Sequence, residues 1–174
     1  MRISLNYNLS MKLRLNFNSE QEFQNFCNQL FSAELPSYQA IEGSGGDKGI
    51  DGLDKNTVFQ IFFPDIKNRI KSKYIDKINE DLVKIKNAIK ENKLNIERWI
   101  IVIPEDLSAD VIIYLRKKSE ETGIECIGWG ASKLTELLGK SPHIKKSFPS
   151  VFSQDIEEEL KELSEKIGVL FNPK

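Results

Sequence analysis

Histidine is almost missing from this chain: its 174 residues include one, His143. A zinc centre built on imidazoles and a Ser-His-Asp triad are therefore nearly excluded. Cysteine is scarce too, with Cys27 and Cys126 far apart and in no CxxC pair. They read as buried free thiols. No apolar run approaches the roughly 20 residues of a membrane span, and the N-terminus lacks the uninterrupted apolar core of a secretory signal. The expectation is a cytosolic chain without membrane contact, whose chemistry, if it has any, uses carboxylates, lysines and a bound ion.

What is present is an ordinary globular mix, 40% apolar and 29% charged, long enough for one domain with a short appendage. The net charge of −1 hides an uneven distribution. Between Ile66 and Lys93 nine Lys/Arg face four Asp/Glu, and between Gln154 and Lys166 six acidic residues face two lysines. A near-neutral total is thus compatible with one basic face.

Hydrophobic periodicity divides the chain. Apolar residues at every odd position from Ile3 to Phe17 predict a strand, or a hairpin turning near Asn8 and Ser10. Ser19 with Glu22 three residues on forms a capping box before a helix bearing Phe23, Phe26, Cys27, Leu30 and Phe31. "SYQAI", "GIDGL" and "TVFQIFF" read as strands, the last ended by Pro64. A long helix is expected over 68–92, with Ile75, Ile78, Leu82, Ile85 and Ile89 as its core stripe. "ERWIIVI" reads as a strand buried on both faces, and "SADVIIYLRKKSEET" as a helix capped by Ser108 and closed by Gly123. "IECIGW" is a further strand, and "SKLTELLG" a short helix ended by Gly139. Pro142 and Pro149 break the chain before a last amphipathic helix. The order implies an α/β sandwich with helices on both faces of a mixed sheet. It divides into an N-terminal strand or hairpin (1–18), an α/β core (19–152) and a C-terminal helix (153–174).

The stretch "EGSGGDKGIDG", residues 42–52, asks what a glycine-rich loop delivers. If Asp54–Thr57 is a turn, Leu53 pairs with Val58, Gly52 with Phe59 and Asp51 with Gln60. Asp51, Gln60 and Phe62 then share one face. No GK[ST] follows, so a nucleotide-binding P-loop is not indicated. The bland alternatives are a turn closed by Asp47, a helix-capping Glu22, a solvated lysine-rich helix and a Trp129 packed at a strand end rather than stacked on a base.

The loop, Asp51 and the following Gln60 resemble the PD-(D/E)xK nuclease superfamily, and within it the restriction-endonuclease-like group that includes the Mrr family. The resemblance covers about residues 19–63. It implies a three-layer α/β/α restriction-endonuclease-like fold and a metal-dependent endonuclease hydrolysing DNA with Mg²⁺ or Mn²⁺. Asp51, Gln60 and the backbone carbonyl of Ile61 would be metal ligands, with Glu22 acting through a water or a second ion. It further implies a defence or restriction setting, fusion to or association with a sensor or motor module, and a homodimer for cutting both strands. Phe62 departs from the family, which has lysine there. Lys67, Lys71, Lys73 and Lys77 on the next helix are the candidate replacements, with Lys73 and Lys77 preferred as catalytic. Lys67, Arg69, Lys71 and Lys73 are the expected nucleic-acid contacts. The alternative is a catalytically degenerate nuclease-like domain that binds nucleic acid or a partner protein.

Overall fold

The computed structural model describes residues 15–41, 50–65, 70–92 and 94–152, together with 161 and 164. The glycine loop at 42–49, Asp47, Lys67, Arg69, nearly all of the expected last helix and most of the N-terminal strand or hairpin lie outside the described residues. The end of that alternating run, residues 15–17, is irregular rather than extended in a sheet, and Leu15 and Phe17 pack against the core.

Nine elements follow in order: α1 (Glu20–Glu34), β1 (Tyr38–Ala40), β2 (Gly52–Asp54), β3 (Thr57–Ile61), α2 (Lys71–Asn92), β4 (Arg98–Val102), α3 (Ala109–Thr122), β5 (Glu125–Trp129) and α4 (Ala131–Lys140). A 3₁₀ turn over Pro142–Ser147 succeeds them. The strands form one mixed sheet in sequence order. β1, β2 and β3 are antiparallel neighbours, while β3, β4 and β5 run parallel. Parallel neighbours need a crossover, and α2 and α3 supply the two. Both crossovers step the same way across the sheet, so a common hand places both helices on one face.

Alternation along the central strands sorts the core into two layers. Phe59, Ile61, Ile100 and Val102 join α1 and α4 on one side. Val58, Trp99, Ile101 and Ile103 join α2 and α3 on the other. The apolar run of β4 is therefore buried on both faces, as its composition implies. Phe31 anchors the first layer, with ring centroids 5.5 Å from Tyr38, 5.2 Å from Phe59 and 5.6 Å from Trp129. Trp129 is thus a packing residue at a strand end. Both cysteines are buried free thiols.

Several local expectations need correction. Gly139 does not end α4; the helix continues to Lys140 and is capped at Ser141, since an exposed glycine costs only about 1 kcal/mol in a helix interior. Pro149 opens a helical turn instead of breaking one, with residues 149–152 helical, because proline suits the first turn of a helix. Val151 and Phe152 from that turn are buried in the core. The long helix starts at Lys71, and β3 stops at Ile61, short of Phe62 and Phe63.

The β2–β3 hairpin has the register the sequence implies, with Leu53 opposite Val58 and Gly52 opposite Phe59. Lys55 carries φ +52° in its turn, the left-handed geometry that two-residue hairpins favour. Gly52 has a second reason to be glycine. A Cβ there would lie 2.3–2.6 Å from the phenol end of Tyr38, whose hydroxyl donates to Asn28 Oδ1 at 2.7 Å. The space beside Gly52 is filled by that ring rather than open to solvent. Gly52→Ala should destabilise the fold by about 1–3 kcal/mol, measured by denaturant unfolding, whereas Gly139→Ala, with open space around it, should not destabilise at all.

Candidate active site

Asp51 stands just before β2, gripped through its backbone on both sides. Its amide donates to Phe59 O at 2.8 Å, and its carbonyl accepts from Ile41 N at 2.9 Å. The side chain then turns toward β3. Its Oδ2 accepts from Gln60 Nε2 at 2.7 Å and from the Ile61 amide at 2.6 Å. Asp51 and Gln60 therefore meet on one side of the sheet end. Gln60 alternates with Val58 and Phe62, which places it on the α2 face.

Gln60 is 7% exposed, and its Oε1 is buried without a hydrogen-bond partner among the described residues. Such an atom is costly unless something supplies positive charge or a donor. The Ile61 amide points at Asp51, and in an extended strand the carbonyl of the same residue points to the same side. Both N–H groups fall on Asp51 Oδ2, leaving Oδ1 for another partner. Asp51 Oδ1, Gln60 Oε1 and Ile61 O are hard oxygens of the kind that suit Mg²⁺ or Mn²⁺, so the residues fit such an ion. Among the described residues no three His, Cys, Asp or Glu side chains gather into a metal cluster.

The surrounding charges come mainly from α2. Burial raises the Asp51 carboxyl above its ordinary value, the Ile61 amide and Lys77 oppose that rise, and Asp81 and Glu20 reinforce it. Asp81 is fully buried. Its Oδ1 accepts from Lys77 Nζ at 3.0 Å, and Oδ2 has no hydrogen-bond partner among the described residues. Burial likewise raises the Asp81 carboxyl, with Lys77 as the main opposing influence. Lys77 Nζ also sits 5.5 Å from the centroid of Phe62, whose ring meets Tyr74 edge-on at 6.0 Å.

A cleft of about 430 Å³ opens beside this cluster, lined by Glu20, Phe62, Lys73, Asp76, Lys77 and Glu80 among others. Asp51 and Gln60 do not line it. Lys77 and Glu20 connect the two, since they border the cleft and act electrostatically on Asp51.

The remaining sequence candidates sort by position. Glu22 is a capping residue: Ser19 Oγ accepts from its amide at 3.1 Å, and its carboxylate accepts from the Asn18 amide and from Ser150 Oγ, both at 2.7 Å. On α1 it is Glu20 that borders the cleft and acts electrostatically on Asp51. Lys73 is on the cleft, while Lys71 pairs with Asp110 of α3 at 2.8 Å in an exposed contact. The sequence reading missed Glu20 and Asp81. Both carried a signal: Asp81 lies three residues after Ile78 and four before Ile85, inside the apolar stripe, and Glu20 lies seven before Cys27.

No protein-family model matches the chain, no curated protein matches it, and no solved structure matches it.

The raised Asp51 carboxyl sets a pH dependence. Between the ordinary carboxylate value and the raised folded one, the folded chain holds a proton that the unfolded chain gives up, so stability falls as pH rises through that window. Asp51→Asn keeps an oxygen for Gln60 Nε2 and the Ile61 amide but carries no charge. It should raise the unfolding temperature near neutral pH, with the gain vanishing below pH ~3 where Asp51 is protonated. A gain of equal size at both pH values would show that desolvated charge is not its source.

Proposed function

We propose that this chain is a divalent-cation-dependent nuclease domain of the restriction-endonuclease-like type, acting on DNA. The observation that carries this reading is the meeting of Asp51 with Gln60 and Ile61 at the end of β3, with Gln60 Oε1 buried and partnerless beside a half-buried carboxylate. The sheet order, with an antiparallel β1–β2–β3 meander followed by a crossover through α2 to a parallel β4, supports it further.

On this reading Asp51, Gln60 Oε1 and Ile61 O hold Mg²⁺ or Mn²⁺, which when bound polarises the phosphodiester and makes hydroxide accessible near neutral pH. The Gln60 amide and the Ile61 N–H hold the Asp51 carboxylate in place. Lys77 supplies positive charge where negative charge develops on the phosphate, and Lys73 on the rim of the cleft attracts the nucleic-acid backbone. The expected restriction or defence setting, a homodimer, and association with a sensor or motor module belong to the same reading and follow from the resemblance alone.

A second reading has one specific observation in its favour. Phe62 stands where the family carries lysine, and an apolar ring does none of that work. A catalytically silent domain that binds nucleic acid or a partner protein would tolerate it.

Incubation with supercoiled plasmid separates the two. Cutting in Mg²⁺ or Mn²⁺ that falls at least ~100-fold in Asp51→Ala, with the circular dichroism spectrum unchanged, is the expected outcome. Salt-sensitive DNA binding without cutting would replace the first reading by the second. Cutting at the wild-type rate by Asp51→Ala would remove Asp51 from the site.

A further inference from the structure

Asp81 is an anomaly on purely structural grounds. It is 0% exposed in the middle of the apolar stripe of α2, between Ile78 and Ile85. Its hydrogen-bond partner is Lys77, four residues earlier and still partly exposed, with Lys84 farther off at 3.9 Å. A lysine N-terminal to its acid is also the less favourable order for a helical pair. An apolar side chain at such a position is often as stabilising as a buried ion pair, or more so. What Asp81 does achieve is placement. Lys77 has several rotatable bonds and would otherwise range over the solvent face. Bonded to Asp81 on one side and lying over the Phe62 ring on the other, its ammonium is confined to the wall of the cleft, within electrostatic reach of Asp51.

We propose that Asp81 is a positioning residue whose buried carboxylate holds Lys77 over Phe62, so that α2 delivers to the Asp51 site the cation that the strand position lacks. Phe62 is then the platform for a displaced lysine: its ring faces the ammonium and its bulk keeps water from one side of it. Lys73, exposed on the same helix and without such a clamp, has the more general task of drawing in phosphate. This inference rests on the nuclease reading and adds to it the residue that fixes the charge stabiliser.

Two measurements on the same variants test it. The ε-methylene protons of Lys77 should be shifted upfield by the Phe62 ring current in the wild type, as read by NMR. In Asp81→Leu the shift should collapse and Mn²⁺-dependent plasmid cutting should slow by about 100-fold, while the unfolding temperature holds or rises. Asp81→Asn, which retains an oxygen acceptor for Lys77 without adding volume, should be intermediate in both readouts. The double variant Asp81→Leu/Lys77→Ala should cut no more slowly than Lys77→Ala, because the two residues act through one ammonium group. A ring-current shift that persists in Asp81→Asn and Asp81→Leu, or cutting by both at the wild-type rate, would overturn the clamp and leave the nuclease reading standing. A wild-type protein that leaves plasmid intact would overturn that reading, and the role of Asp81 with it.

Discussion

The bond from the Ile61 amide to the Asp51 carboxylate, 2.6 Å long, joins the backbone of the sheet to the cluster of polar side chains at its end. β2 begins at Gly52, while β3 runs on to Ile61. Among the described residues no strand continues the antiparallel ladder beyond Gly52 on that side, and a buried amide left without an acceptor is expensive. Asp51 resolves this with a side chain in place of a strand. Its own amide makes the last ladder bond to Phe59, and its carboxylate extends the ladder two residues further. The acid is thus placed by the same accounting of backbone polar groups that closes the sheet.

Placement has an electrostatic consequence. Burial opposes ionisation of both Asp51 and Asp81, and each of the two carboxylates has Lys77 as an opposing positive neighbour. Lys77 is thus shared by a half-buried and a fully buried acid, with Lys84 also near Asp81 and Glu20 adding to the negative field at Asp51. Gln60 Oε1 adds an acceptor that is unanswered among the described residues. A group of oxygens in that state is poorly suited to stabilising the fold, and on the proposed reading a cation would answer it.

Much of this was legible in the residues. The hairpin register followed from one turn, Asp54–Thr57, and from period-two alternation, both local properties. β4 was recognisable because a strand buried on both faces is apolar without alternation. The meeting of Asp51 with Gln60 followed from the register alone. What escaped depended on contacts distant in sequence. Tyr38 filling the space over Gly52 involves two strands separated by the glycine loop. The capping role of Glu22 was readable from Ser19, but its bond from Ser150, 128 residues on, was not. Asp81 was hidden for a different reason: a charged residue inside an apolar stripe reads as a flaw in the pattern, and only its burial makes it a feature.

Phe62 connects these strands of argument. At the strand position an ammonium and the Asp51 carboxylate would be carried by adjacent segments of one sheet, and their separation would be set by the hairpin. Moved to α2, the ammonium is set by the packing of a helix on that sheet, through Tyr74 against Phe62 and Ile78 in the core below. Helix–sheet packing is less exact than strand pairing for a long, flexible side chain, so a displaced lysine requires its own restraints. A ring beneath it and a buried carboxylate beside it are two such restraints, and the ring also lowers the local dielectric, which strengthens the attraction between Lys77 and the acids around it. On the proposed reading, an aromatic residue at position 62 and an acid at position 81 are one adaptation: either alone would leave Lys77 free to swing into solvent, and together they make the helix do what the strand does not.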